Sequence, residues 1–175
     1  MTPSGKFSGV AKVPFLDLRV GTSAGQCHLH ATHTNLKILQ WNAGGLSQGK
    51  KAELQKIIED KEIDVFIIQE ANISEDQLKY FQVPGFNIYI LPKTRQIASG
   101  ILTGVRINIL AQFKIIKEMQ HQDKIEIIRI EIWKGNIHYK IYGIYNPPNN
   151  NPCLDIIPIH SKTIVVGDFN GHSPT

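Results

Sequence analysis

The stretch that decides the fold is residues 36–70, where Leu36-Lys-Ile-Leu-Gln-Trp41 and Asp64-Val-Phe-Ile-Ile-Gln-Glu70 flank a charged, periodic segment. The first run is apolar and too short for a helix, so it reads as a buried strand. Asn42-Ala-Gly-Gly45 turns the chain. From Lys50 to Lys61, Leu54, Ile57 and Ile58 recur at helical spacing with charges on the opposite face. The second run, ending at Glu70, is again a buried strand. Strand, helix and strand in this order make a βαβ unit, with parallel strands and a right-handed crossover.

Outward from this unit the chain stays strand-rich. Ser74-Glu-Asp-Gln77 has capping-box spacing and predicts a short helix reaching about Tyr80, closed by Pro84-Gly85. Strands are predicted over residues 86–91, 100–105, 108–117, 124–133, 137–145 and 163–167. Within 124–133, Ile128, Ile130 and Ile132 alternate with Arg129 and Glu131, while Ile125 and Ile127 fall one step out of phase. Either both faces are partly buried there or a bulge lies near Ile127-Ile128. Residues 146–161 hold four prolines and four asparagines and read as a loop. Upstream of Asn35 the texture changes: residues 1–34 are rich in Gly, Ser, Thr and His without sustained periodicity, and read as a flexible extension. Residues 35–175 form the domain.

Composition narrows the function classes. The chain has 175 residues and a net charge of +4, a mild excess that permits phosphate contact without demanding it. Cys27 and Cys153 lie far apart and form no CxxC pair, which fits a reducing compartment, nuclear or cytoplasmic. No apolar run approaches the roughly 20 residues of a membrane span. No apolar core of a secretory signal is visible, and an obligate protein partner is not indicated. Residues 1–34 contain a single acid, Asp17, so a transit peptide stays open.

Polar clusters stand at the C-terminal ends of the apolar strands: Asn42, Gln69-Glu70, Tyr145-Asn146, and Asp168 with Asn170. In α/β folds such ends project into the crevice where ligands collect. A hard cation such as Mg²⁺ takes one or two carboxylates and completes its shell with water and phosphate oxygen, so Glu70 is a candidate ligand. Asp168 and Asn170 are two apart on an extended segment and point the same way. The acid suits orienting a water, the amide steadying a phosphate oxygen. Singly each has an ordinary reading: a solvated strand end for Glu70, a turn for Gly167-Asp-Phe-Asn170, a loop start for Tyr145-Asn-Pro-Pro148. All in order, each at a strand end, they outweigh it.

Leu36 to Gly45, Asp64 to Glu70, Ile144-Tyr-Asn-Pro-Pro148 and Ile164-Val-Val-Gly-Asp-Phe-Asn170 together resemble the endonuclease/exonuclease/phosphatase superfamily. The nearest resemblance is to endonuclease domains encoded by arthropod-type non-LTR retrotransposons, relatives of apurinic/apyrimidinic endonucleases and deoxyribonuclease I. It implies an α/β fold, a four-layer αββα sandwich with the site at the top of two packed sheets. It implies Asn42 beside the metal, Glu70 as ligand to Mg²⁺ or Mn²⁺, and Tyr145 on the scissile phosphate. Asp168 would position or deprotonate the attacking water, and Asn170 would bind phosphate. The partner would be the DNA phosphate backbone, and the reaction target-site nicking that frees a 3′-hydroxyl for reverse transcription. Ser99-Gly100 before Ile101-Leu102 resembles the family's central strand, with Ser-Gly where paired glycines are usual.

One departure stands out. The family closes its site with a later Asp-containing stretch and a Ser-Asp-His, whereas the sequence in hand runs to Thr175. His172 belongs to the Asp168 turn and does not replace that histidine by motif. The expectation is a domain incomplete at its C-terminal end, with weak or no catalysis as this polypeptide. The alternatives are a non-catalytic transposon remnant or DNA-binding fragment, or a phosphatase of the same superfamily. Gly44 to Lys50 also satisfies GxxxxGK after a strand, but Lys51 stands where a P-loop needs Ser or Thr for its metal. Cys27-His28, His30 and His33 form a possible zinc cluster whose spacing matches no common finger.

Overall fold

The computed structural model describes residues 7–13, 35–94 and 98–170. In chain order the elements are β1 (Phe7–Val13), β2 (Leu36–Asn42), α1 (Gln48–Lys61), β3 (Val65–Gln69), α2 (Glu75–Leu78), β4 (Phe86–Leu91) and β5 (Ile101–Arg106). They continue with β6 (Leu110–Lys117), β7 (Glu126–Lys134), β8 (Ile137–Tyr145) and β9 (Thr163–Asp168). Every strand and both helices foreseen after Asn35 are present. One sheet has the order β1-β2-β3-β5-β4, the other β6-β7-β8-β9. Two pairs are parallel, β2 with β3 and β8 with β9; the rest are antiparallel.

The βαβ reading is realised. Ser47 caps α1, its hydroxyl accepting from the Lys50 backbone N–H at 3.4 Å. Lys61 in the last turn suits the negative end of the helix dipole, and Glu62 ends the helix in left-handed backbone, φ 51°. Leu54 and Ile58 face inward on β2 and β3. The short helix α2 carries the expected box, with the Ser74 N–H donating to Gln77 Oε1 at 3.0 Å. No helix among the described residues is long and apolar enough to cross a membrane.

Alternation along the strands sorts the residues into layers. Leu36, Ile38, Val65, Ile67 and Ile101 of the first sheet pack against Ile128, Ile130, Ile132 and Ile141 of the second. The opposite face of the first sheet, with Leu39, Trp41, Phe66 and Ile68, packs beneath the helices. On the outer face of the second sheet Ile125, Ile127, Tyr142 and Ile144 are covered by Ile157 from the 146–162 segment. At the phase break in β7 both faces are buried at the start of the strand, and a register shift lies there too, opposite Ile127 and Ile128, with its extra residue in β6 between Ile115 and Lys117.

One strand was not anticipated. Phe7–Val13, expected within a flexible extension, instead pairs antiparallel with β2 from Val13↔Leu36 to Phe7↔Trp41. A strand that covers an edge is held by main-chain bonds and needs no strong side-chain pattern. Residues 14–34, with the Cys27–His33 cluster, lie outside the described residues, as does His172.

Close packing sets a strict demand at Gly104 on β5, where a Cβ would overlap the buried ring of Phe66. Gly104→Ala is therefore expected to destabilise by about 1–3 kcal/mol. Gly49→Ala, in α1 with nothing within 4 Å of the added carbon, should be neutral or stabilising by up to about 1 kcal/mol. Urea denaturation of both variants reads the contrast; equal midpoints would show that the β5–Phe66 contact is looser than described.

Candidate active site

Parallel pairing brings the ends of β2 and β3 to one edge of the sandwich. Asn42 and Gln69 are register partners, and Glu70 follows directly. By alternation Glu70 would share the helix-side face with Phe66 and Ile68. Its backbone instead enters the left-handed region, φ 49°, which ends the alternation. The second parallel pair does the same for β8 and β9, setting Tyr145 opposite Asp168.

The Asn42 side chain joins these ends. Its Nδ2 donates to Glu70 Oε1 at 3.0 Å and to Asp168 Oδ2 at 2.6 Å, while its Oδ1 accepts from the Gly44 N–H at 3.1 Å. Oxygen and nitrogen are thereby distinguished, and the NH₂ group faces the two acids. Asn170, at φ 41°, donates its backbone N–H to Asp168 Oδ1 at 3.0 Å and its Nδ2 to the Asn146 carbonyl at 2.8 Å. Of the five residues singled out by sequence, Asn42, Glu70 and Asp168 are directly linked, and Asn170 holds Asp168. Tyr145 is 1% exposed in the inter-sheet core and joins the group through register.

Hard oxygen donors dominate the site. Glu70 and Asp168 turn one carboxylate oxygen each toward the same amide nitrogen, a donor set that fits a hard divalent cation bound by one or two carboxylates. No group of three or more His, Cys, Asp or Glu suited to a metal occurs among the described residues. Water and substrate oxygens would therefore complete such a shell. The P-loop alternative loses ground, because Lys50 Nζ turns back onto the Ala43 and Gly45 carbonyls of its own loop.

Two supports have roles that the sequence does not assign, although Gly100 and Asn146 stand out in it. The first is Glu126, 0% exposed, whose two oxygens accept from the Gly100 N–H at 3.1 and 2.9 Å. Gly100 sits at φ 86°, where a Cβ would press on the Lys93 and Leu91 backbone. The Ser99 and Gly100 carbonyls in turn accept from the Asn72 and Ala71 N–H groups, pinning the segment after Glu70. The available signal was an acid at position 126 in phase with the inward-facing Ile128, Ile130 and Ile132.

The second support is an amide chain under the Asp168 turn. Asn146, 2% exposed, donates its Nδ2 to the Phe169 carbonyl at 2.9 Å, and its N–H to the Asp168 carbonyl at 2.8 Å. Asn150 donates to Asn146 Oδ1 at 2.7 Å and to Asp123 Oδ1 at 3.1 Å. Lys117 closes the chain on Asp123. Burial pushes the Asp123 carboxyl upward, but the hydrogen bonds from Lys117 and Asn150 outweigh it and hold the group below its usual value.

Two mixed sheets packed face to face, with acids gathered at the ends of parallel strands, form the endonuclease/exonuclease/phosphatase or deoxyribonuclease I-like fold. No family model matches the chain, and no curated protein matches it. Among solved structures it is similar to D. rerio TDP2 complexed with single-strand DNA product, at TM-score 0.56 and 14% identity. That match covers 79% of this chain and 62% of TDP2, so the chain spans less than two thirds of that protein. C. elegans TDP2 gives TM-score 0.45 and 16% identity over 62% of this chain and 34% of its own. An endonuclease/exonuclease/phosphatase family protein from Bacteroides thetaiotaomicron gives 0.38 and 13% over 62% and 50%.

The Asp123 carboxyl makes an acid-sensitive support. Its depressed value means that its contribution is complete above the usual 3.8 and is lost as pH falls through the lower folded value. The stability gap between wild type and Asp123→Asn should be constant above about pH 5 and narrow below pH 3.8. Urea midpoints across that range measure it, and a gap unchanged down to pH 2 would refute the assignment.

Proposed function

We propose that this chain carries the metal-dependent phosphodiesterase centre of a DNA endonuclease of the non-LTR retrotransposon kind, which nicks target DNA. The observation that carries the reading is the junction at Asn42, where two carboxylates 28 and 126 residues away meet one amide group. A solvated strand end has no reason to collect two like charges on one donor, since like charges this close repel unless a cation or donor offsets them. The fold supports phosphodiester chemistry, and the DNA product seen in TDP2 supports DNA as the substrate.

In this reading Glu70 holds Mg²⁺ or Mn²⁺ with Asn42 beside it. The bound cation would polarise the phosphate and neutralise developing charge. Asp168 orients the attacking water and takes its proton, a role that its fixed partners Asn42 and the Asn170 N–H favour by holding both oxygens in place. Asn170 and Tyr145 steady the scissile phosphate. Asn42 keeps the two acids at a set separation, a positioning role distinct from that of a ligand. The site's partner is the DNA backbone, and the compartment that offers chromosomal DNA is the nucleus.

A supercoiled-plasmid nicking assay with Mg²⁺ tests this directly. Nicking by wild type should be weak, in line with the departure from the family's closing motif; chelator should stop it, and Glu70→Ala should fall to the chelator baseline while its circular dichroism stays native. Asp168→Asn should lose about 10²–10⁴-fold, the usual worth of a positioned general base. Nicking retained in Glu70→Ala would remove the metal assignment; DNA bound but never nicked by wild type would leave a DNA-binding module instead of a nuclease.

A further inference from the structure

Beside the junction, on the helix side of the first sheet, lies a groove of about 1000 Å³ between the N-terminal turn of α1 and the 71–81 segment. It shares both chain bends with the proposed centre: Trp41 precedes Asn42, and Ala71 follows Glu70. The bends are stitched together by Gly45 N–H to the Glu70 carbonyl at 2.7 Å and Leu46 N–H to the Ala71 carbonyl at 3.1 Å. We propose that this groove holds one unstacked nucleotide of the DNA strand adjoining the scissile phosphate. The inference rests on the nuclease reading and adds to it where the strand lies.

Three features select a nucleotide. The first is a pair of unmatched polar atoms among the lining residues. Trp41 is 3% exposed and its Nε1 has no partner, and neither has the buried Oδ1 of Asn72. Folded interiors seldom leave such groups unpaired; both residues line the groove, so a donor and an acceptor lie just beneath its wall, where small side-chain shifts would offer them to a base. Asn72 is also held in left-handed backbone, φ 57°, a conformation that surrounding structure must impose.

Aromatic surface is the second feature. Tyr80 is 76% exposed beside Phe81, and both line the groove. Bases stack on such platforms whatever their sequence. Charge is the third. Lys51 Nζ stands 4.8 Å from the Phe81 ring centre, without a carboxylate partner among the described residues. The first turn of α1 carries no acid, and at Gly49 nothing lies within 4 Å of where a side chain would begin. The positive end of the α1 dipole and a nearby ammonium suit the phosphate of the same nucleotide.

A second cavity among the described residues, about 780 Å³ at the far strand ends, lacks this combination. Its cations are committed: Lys37 to Glu62 at 2.7 Å, Lys134 to Asp64 at 2.5 Å, and Arg106 to the Ile63 carbonyl and the Phe86 ring.

The test is fluorescence anisotropy of the full chain with a labelled single-stranded oligodeoxynucleotide, in chelator so that cleavage plays no part. Tyr80→Ala should weaken binding about 5- to 100-fold, the range for loss of one base–aromatic stack. Lys51→Gln should lower the slope of log affinity against log salt by about 0.7, one single-strand phosphate contact. Both sites are on the surface or its margin, and native circular dichroism guards against unfolding. Crosslinks from a 5-iododeoxyuridine oligonucleotide should map to Tyr80 or Phe81. Binding unchanged in both variants, or crosslinks confined elsewhere, overturns the groove while leaving a Glu70-dependent nicking activity untouched. A wild type that binds no oligonucleotide overturns both readings together.

Discussion

Ile38, Val65, Ile67 and Ile101 interdigitate with Ile128, Ile130, Ile132 and Ile141 across the seam between two sheets, and the position of every functional group follows from that contact. Branched side chains stand stiffly from a pleated surface, so two sheets carrying them meet in few relative placements. At about 25 cal/mol per Å² of apolar area removed from water, burial along this seam contributes strongly to the fold. Gly143 lets the sheets approach: a Cβ there would lie 2.9 Å from side-chain carbons of both Ile67 and Ile128. The seam therefore sets how far β2 and β3 stand from β8 and β9.

Polar ties then lock the ends of the seam. At one end Lys134 of β7 reaches Asp64, which also accepts from the Lys37 N–H at 2.8 Å. At the other, Asn42 reaches Asp168, and Glu126 reaches Gly100. Ties of this kind add little net stability, because the groups were hydrogen-bonded to water before folding. Their effect is directional. A half-buried carboxylate with fixed donors has one orientation, and a centre that must hold a water or a cation needs that.

Strain collects in the same place. Glu70, Asn72, Ala98 and Asn170 all take positive φ without being glycine. Each departs from the extended backbone at or near a strand end, and at Glu70 and Asn170 the departure breaks the alternation that would otherwise set the side chain's face. The amide chain from Lys117 through Asp123, Asn150 and Asn146 holds the Asp168–Asn170 turn from below. The Ser99-Gly100 carbonyls hold the Glu70–Asn72 turn from the side. Backbone conformations that cost energy persist where neighbours over-determine them, and these two supports do so.

Periodicity and length were enough to read the strands from Leu36 onward, α1 and its cap, and the parallel pairing of β2 with β3. These depend on local spacing and on a short crossover, and both are written along the chain. The motif order likewise singled out Asn42, Glu70, Tyr145, Asp168 and Asn170 as residues at strand ends. Sequence spacing could not show that Asn42 spans Glu70 and Asp168, because that junction joins positions 126 residues apart through the packing of two sheets. Nor could it show Glu126 under Gly100, or β1 along β2, since the first is a tie between sheets and the second a main-chain pairing with little side-chain signature. Local structure follows from spacing along the chain. The site follows from how two isoleucine faces fit, and that distance exists only once they have met.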